Sequence, residues 1–153
     1  MRIKELFEDF QWDRDPDQDM ENPLPLIKDD YAFNLMDSVD TALVSMVPGH
    51  EKLSGGNYGA TVIKAREQAG TEQDVPIKQM VSTEKYLVSD QIKALMQGRA
   101  RSSSKLPLLY KDGDTYYIGD GNHRIAADFL NKRPTTRALV LDANKILSQR
   151  KTQ

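Results

Sequence analysis

The sequence predicts an α+β protein, with strands and helices alternating in its second half and a mainly helical N-terminal extension before them. Three observations carry this. Apolar residues recur at helical spacing in two stretches before residue 50. From Val75 onward, short β-prone runs alternate with helical ones. Two of those runs flank an aspartate–glycine turn of the kind that closes hairpins. The chain divides accordingly into an extension over 1–74, a domain over 75–145 and a tail over 146–153.

Ile3, Leu6, Phe7 and Phe10 fall on one face of a helix over 1–10, which docks on its own domain or on a partner protein. An acidic, proline-containing stretch over 13–25 reads as a solvated loop. Its Asp13, Asp15, Asp17 and Asp19 suggest a calcium loop. Such a loop needs glycine sixth and glutamate twelfth, where this chain has Gln18 and Leu24, so the calcium reading fails. Ala32, Leu35, Met36, Val39, Ala42, Leu43 and Met46 give a helix over 28–47 with one buried stripe, stopped by Pro48-Gly49. Ser54-Gly55-Gly56-Asn57-Tyr58-Gly59 is glycine-rich but lacks the Gly-Lys-Ser/Thr ending of a P-loop, so it reads as a loop before a short helix over 60–68. Residues 70–74 are polar and mark the boundary.

Val75-Pro76-Ile77-Lys78-Gln79-Met80-Val81 alternates as a strand does. Ser89-Asp90 caps a helix over 91–97 that Gly98 ends. A basic, serine-rich loop spans 99–105. Strands over 106–110 and 115–118 flank Lys111-Asp112-Gly113-Asp114. A helix over 123–130 and a strand over 136–141 complete the domain.

Composition narrows the function classes. The 153 residues carry a formal net charge of -2, so contact with nucleic acid must come from a local basic patch. The chain has no cysteine, which excludes disulfides, zinc–thiolate sites and thiol nucleophiles. No run approaches the roughly 18 apolar residues of a membrane span, and the first residues lack a signal peptide's apolar core. A soluble, cytoplasmic protein without a membrane partner is expected.

The chemistry concentrates in Gly119-Asp120-Gly121-Asn122-His123-Arg124, a strand–turn–helix. Gly119 and Gly121 allow a sharp turn and a close approach to a ligand. Ile125, Ala126, Phe129 and Leu130 are expected to face inward and pin the helix, leaving its N-terminal N–H groups as an anion site. Arg124 can fork onto phosphate oxygens, and His123 can donate a hydrogen bond or move a proton. Asp120 can hold a metal ion, orient His123 or cap the helix. Taken singly, Asp120 and Asn122 read as caps, and Arg124 can pair with Asp128 four residues on. The six together read as a phosphate cradle, and Lys105, with Arg99 or Arg101, can supply further phosphate contacts.

On Val75-Pro76-Ile77 and on Gly119 through Ala127, this second half resembles the ParB-like nuclease domain of the ParB/sulfiredoxin superfamily. The resemblance implies a small mixed sheet with helices and leaves 1–74 unmatched. ParB proteins bind and hydrolyse CTP through a Gly-Glu-Arg-Arg turn, to which only Arg124 clearly corresponds. Sulfiredoxins bind ATP phosphates with Gly-Gly-Cys-His-Arg and attack through the cysteine. Gly121, His123 and Arg124 match that cradle, but Asn122 replaces the nucleophile, which excludes that chemistry. Related free-serine kinases carry Asp-Gly-His-His-Arg, one position different from Asp120 to Arg124, with a further acidic residue for which Glu84 is the candidate. ParB's helix-turn-helix is missing after the final strand, so centromere-style partition is not expected.

Three functions compete. The leading one is a nucleotide- or nucleic-acid-phosphate-binding protein with nuclease or nucleoside-triphosphatase activity. ATP or CTP with Mg2+ would be its cofactors, DNA a further partner, His123 and Asp120 the catalytic pair, and Gly119, Gly121, Asn122, Arg124 and Lys105 the phosphate contacts. The second is a small-molecule kinase of the serine type. The third is a non-catalytic interaction protein that binds a host or partner protein through its N-terminal helices, as the resemblance to small phage- and plasmid-borne members implies.

Overall fold

The computed structural model describes residues 19–52, 56–98 and 105–151. In chain order its elements are β1 (Asp19–Glu21), α1 (Tyr31–Ser45), α2 (Gly56–Ala69), β2 (Thr71–Pro76), β3 (Met80–Val81), β4 (Tyr86–Val88) and α3 (Ser89–Met96), then β5 (Leu108–Asp112), β6 (Thr115–Asp120), α4 (Asn122–Leu130), β7 (Thr135–Asp142) and α5 (Ala143–Lys151). Five strands form a sheet in the order β2-β7-β5-β6-β3, and β1 pairs with β4 in a second, two-stranded sheet. The larger sheet is mixed. β2 runs antiparallel to β7 and β5 antiparallel to β6, while β7 runs parallel to β5 and β6 parallel to β3.

The edge strands β2 and β3 are joined by one 3-10 turn, Ile77–Gln79. Strand spacing of about 4.8 Å would separate the edges of a flat five-stranded sheet by about 19 Å. The chain from Pro76 to Met80 reaches at most about 14 Å. The sheet therefore curls until its edges approach each other at this end. Pro76, which has no N–H to give a ladder, ends β2 where the chain leaves that edge.

Side chains alternate across the sheet and separate two cores. On the concave side Val75, Met80, Leu109, Ile118, Ala138 and Val140 pack with Ile92 of α3 and with Ile125, Ala126 and Leu130 of α4. On the other side Leu108, Tyr110 and Leu141 pack with Met36, Val39 and Leu43 of α1, Ala65 of α2 and Ile146 of α5. The sheet is thus covered on both faces.

Several expectations change. Helices α1 and α2 lie where helices over 28–47 and 60–68 were expected, but they cover the sheet and share its core. The expected helix over 1–10 lies outside the described residues, as do residues 99–104 of the basic loop. Helix α1 starts at Tyr31, whose N–H donates to the Asp29 carboxylate at 3.0 Å. Within the stretch read as a loop over 13–25, Asp19–Glu21 is a strand, because Met20 reaches the concave core beside Leu87. The strand expected over 75–81 begins at Thr71 and is broken by the 3-10 turn. Where a tail was expected, Ala143–Lys151 is a helix, held by Ala143 and Ile146. Phe129, expected inward, is 42% exposed. The buried side of α4 runs instead through Asn122, Ala126, Ala127 and Leu130, and Phe129 stands at its margin. Among the described residues no helix is long and apolar enough to cross a membrane.

Candidate functional site

Strand β6 passes into helix α4 through a single residue. Gly121 adopts φ +91, in the left-handed region, and a Cβ there would stand 2.8 Å from Pro107 Cβ and 3.0 Å from its Cα. Conformation and space both demand glycine. Gly119 answers to a different neighbour. A Cβ on it would lie 2.5 Å from the Tyr110 ring, so its close approach is to the core and not to a ligand. Beneath it the Tyr110 hydroxyl donates to Asp40 at 2.7 Å, and Arg66 forks onto the same carboxylate at 3.0 and 2.6 Å. Burial, then the Asp40 charge, pushes the Tyr110 hydroxyl well above its usual range.

Asn122 opens the helix with its side chain turned inward, 4% exposed. Its Oδ1 accepts from the Ser82 hydroxyl, and its Nδ2 donates to Thr83 Oγ1 at 3.3 Å. Ser82 Oγ in turn accepts from Asn22 Nδ2 at 2.6 Å, and the Thr83 hydroxyl donates to the Ile118 carbonyl at 2.8 Å. The side chain expected to touch phosphate instead ties the helix start to the β3–β4 segment and to the N-terminal strand. Satisfied on both ends, it leaves the backbone N–H groups of the first turn as the polar surface that α4 offers.

His123 is half-buried, and its Nε2 accepts the Val88 N–H at 3.0 Å. That bond needs the Nε2 lone pair, so the ring is neutral with its proton on Nδ1. A neutral ring that released this proton would become an imidazolate. In this tautomer His123 therefore donates a hydrogen bond and is not a proton source. Asp120 does not orient it. The Asp120 carboxylate is exposed and accepts the N–H of Gly121 at 2.9 Å, tightening the turn, while α4 has no side-chain cap at Gly121. Arg124 is half-buried and does not pair with Asp128, which instead accepts from Thr136 at 2.9 Å and faces Arg133 at 3.8 Å.

A cavity of about 280 Å3 gathers these groups. Asp120, Gly121, Asn122, His123 and Arg124 line one side, Lys105 and Pro107 another, and Glu84 and Gln91 a third. Gly119 is not in the lining. Of the basic loop, Lys105 is described and reaches the cavity; Arg99 and Arg101 lie outside the described residues. Glu84 arrives from the segment before β4, 36 positions ahead of Asp120. Gln91 was not foreseen, because a polar residue in the first turn of a helix carries no mark of the cavity it faces.

Two cations, Arg124 and Lys105, and two carboxylates, Glu84 and Asp120, therefore line one small space at the N-terminus of a nine-residue helix. A positive dipole end, orphan N–H groups and a guanidinium are the groups that can hold an anion. Among the described residues no three His, Asp or Glu side chains come together as a metal cluster. The two carboxylates are the set that a magnesium ion shared with a bound phosphate uses. No family model matches the chain, and no curated protein matches it.

Proposed function

We propose that this protein binds the phosphates of a nucleotide at the β6–α4 turn and hydrolyses a nucleoside triphosphate or a phosphodiester there, in the manner of the ParB/sulfiredoxin superfamily that its second half resembles. The single observation that carries the reading is the cavity. It sets Arg124, which pairs with no carboxylate among the described residues, beside Lys105 and the uncapped start of α4.

In this reading Arg124 and the N–H groups of α4 hold phosphate oxygens. His123 donates its Nδ1–H to the oxygen on which charge grows, the role of an oxyanion donor. Glu84 accepts the proton of the attacking water as its oxygen bonds to phosphorus and the bond to the leaving oxygen breaks. Asp120 would hold Mg2+, which supplies charge neutralisation between phosphates when bound, and Glu84 stays free to act as the base. The cavity suits the phosphate chain of one nucleotide, and a DNA backbone would have to enter it one phosphate at a time.

Titration calorimetry of the full chain with ATP and with CTP, each with and without Mg2+, tests the binding half. Arg124→Ala removes a charge-assisted fork worth about 2–3 kcal/mol, so affinity is expected to fall roughly 30- to 150-fold. Unchanged affinity would remove the site from the turn. Binding of single-stranded DNA but of no free nucleotide would move the ligand class to nucleic acid.

A further inference from the structure

A second cavity, of about 480 Å3, adjoins the first, and Lys105, Leu106 and Asp120 line both. It opens between helix α2 and the β7 side of the sheet. Its apolar walls are Ile63 of α2, Leu106 and Leu139 of β7. Gly70 keeps it open at the end of α2. A Cβ there would stand 2.7 Å from the Leu139 side chain and 3.0 Å from the Arg66 carbonyl. Arg66, also in the lining, is committed to Asp40 by two hydrogen bonds. Glu67 is exposed in the same cavity and engages no partner among the described residues.

We propose that this second cavity is the nucleoside subsite of the ligand whose phosphates lie at the turn, and that it selects bases bearing an exocyclic amine. The proposal rests on the phosphate reading above. The shared residues Lys105, Leu106 and Asp120 set the two spaces side by side, within reach of one ligand. The volume lies within the roughly 300–1,000 Å3 of small-molecule sites, and charged residues, Glu67 and Glu72 among them, line it beside the aliphatic walls. The aliphatic walls of Ile63, Leu106 and Leu139 suit the faces of a flat ring. Glu67 is an acceptor without a donor, and an exocyclic amine is a donor. A carbonyl in that place, as in uracil or hypoxanthine, would meet the carboxylate oxygen to oxygen.

The test uses calorimetry on the full chain with inorganic tripolyphosphate, ATP, CTP, ITP and UTP, comparing wild type with Ile63→Trp and Glu67→Gln. Both positions are exposed on α2, so both variants should keep the wild-type melting temperature. Ile63→Trp fills the cavity and is expected to weaken ATP and CTP by about ten-fold or more, with tripolyphosphate unchanged within about two-fold. Glu67→Gln is expected to shrink the preference for ATP and CTP over ITP and UTP without altering tripolyphosphate. If tripolyphosphate binds and neither variant changes any nucleotide, the subsite is overturned and the phosphate site stands. Nucleosides that bind, and are lost in Ile63→Trp, without any tripolyphosphate binding would keep the subsite and overturn the phosphate reading. No binding by wild type overturns both.

Discussion

At the residue scale the turn is built from constraints that have little to do with one another. Gly121 is required by its positive φ and by Pro107, Gly119 by the Tyr110 ring, and Asn122 by two hydroxyls, the buried Ser82 and the half-buried Thr83. Replacing Asn122 by Ala would take from the buried Ser82 hydroxyl its acceptor and from Thr83 one donor. Ser82 keeps Asn22 and Thr83 keeps the Ile118 carbonyl, so the cost is about 1–2 kcal/mol. Urea unfolding should show the midpoint fall accordingly, and a change below about 0.5 kcal/mol would mean that water replaces the amide. Gly121→Ala should cost about 1–3 kcal/mol from backbone strain, with the Pro107 clash added. The glycines, His123 and Arg124 were legible as a strand–turn–helix signature. The inward direction of Asn122 was not, because its partner Ser82 lies 40 positions away and nothing local marks the pair.

At the element scale, helices α1 and α2 and strand β5 are clamped by one polar knot, Tyr110–Asp40–Arg66, inside an otherwise apolar layer. The knot sits under Gly119 and so under the strand that carries the site. It has a pH signature. The folded-state Tyr110 hydroxyl titrates above its unfolded value, so its contribution is complete below the unfolded value near pH 10 and is lost as pH rises beyond it. There the unfolded chain has released a proton that the native chain keeps. Stability should then fall by about 1.4 kcal/mol per pH unit from this group alone. Tyr110→Phe should remove that slope while costing about 1–2 kcal/mol at neutral pH for the lost bond to Asp40. Urea unfolding from pH 8 to 11 measures both, and an unchanged slope would show that Tyr110 is not the titrating group. Elements with a strong apolar period, such as α1 and the hairpin, were readable in advance. Edge strand β2 begins Thr-Glu-Gln-Asp, mostly exposed and without alternation, so its start was hidden. Helix α5 was hidden likewise, since only a few apolar residues among charged ones mark its buried side.

At the scale of the whole molecule, the covering of the sheet by helices from both ends of the chain decides how it unfolds. The layer of α1, α2 and α5 shares a core with β5 and β7, and α3 and α4 close the other face. The described residues should therefore melt as one cooperative unit. Backbone NMR intensities through a urea titration should give the same midpoint for α1 and for β7. Separate midpoints would show that the N-terminal helices are an independent layer. A split at residue 74 looked natural in the sequence because helical spacing precedes β spacing there. Which face those helices cover was invisible, since the amphipathic stripe of α1 says that it is buried and not against what.

The central claim is that phosphate binds between His123 and Arg124, and histidine NMR tests it most directly. The chain has two histidines, His50 and His123, so the assignment is simple. In the free protein the His123 nitrogen shifts should report a neutral ring with the proton on Nδ1. Addition of ATP or CTP with Mg2+ should move the His123 Nδ1 resonance in a saturable way and leave His50 where it is. A nucleotide that binds without moving His123, or that moves His50 instead, would contradict the account.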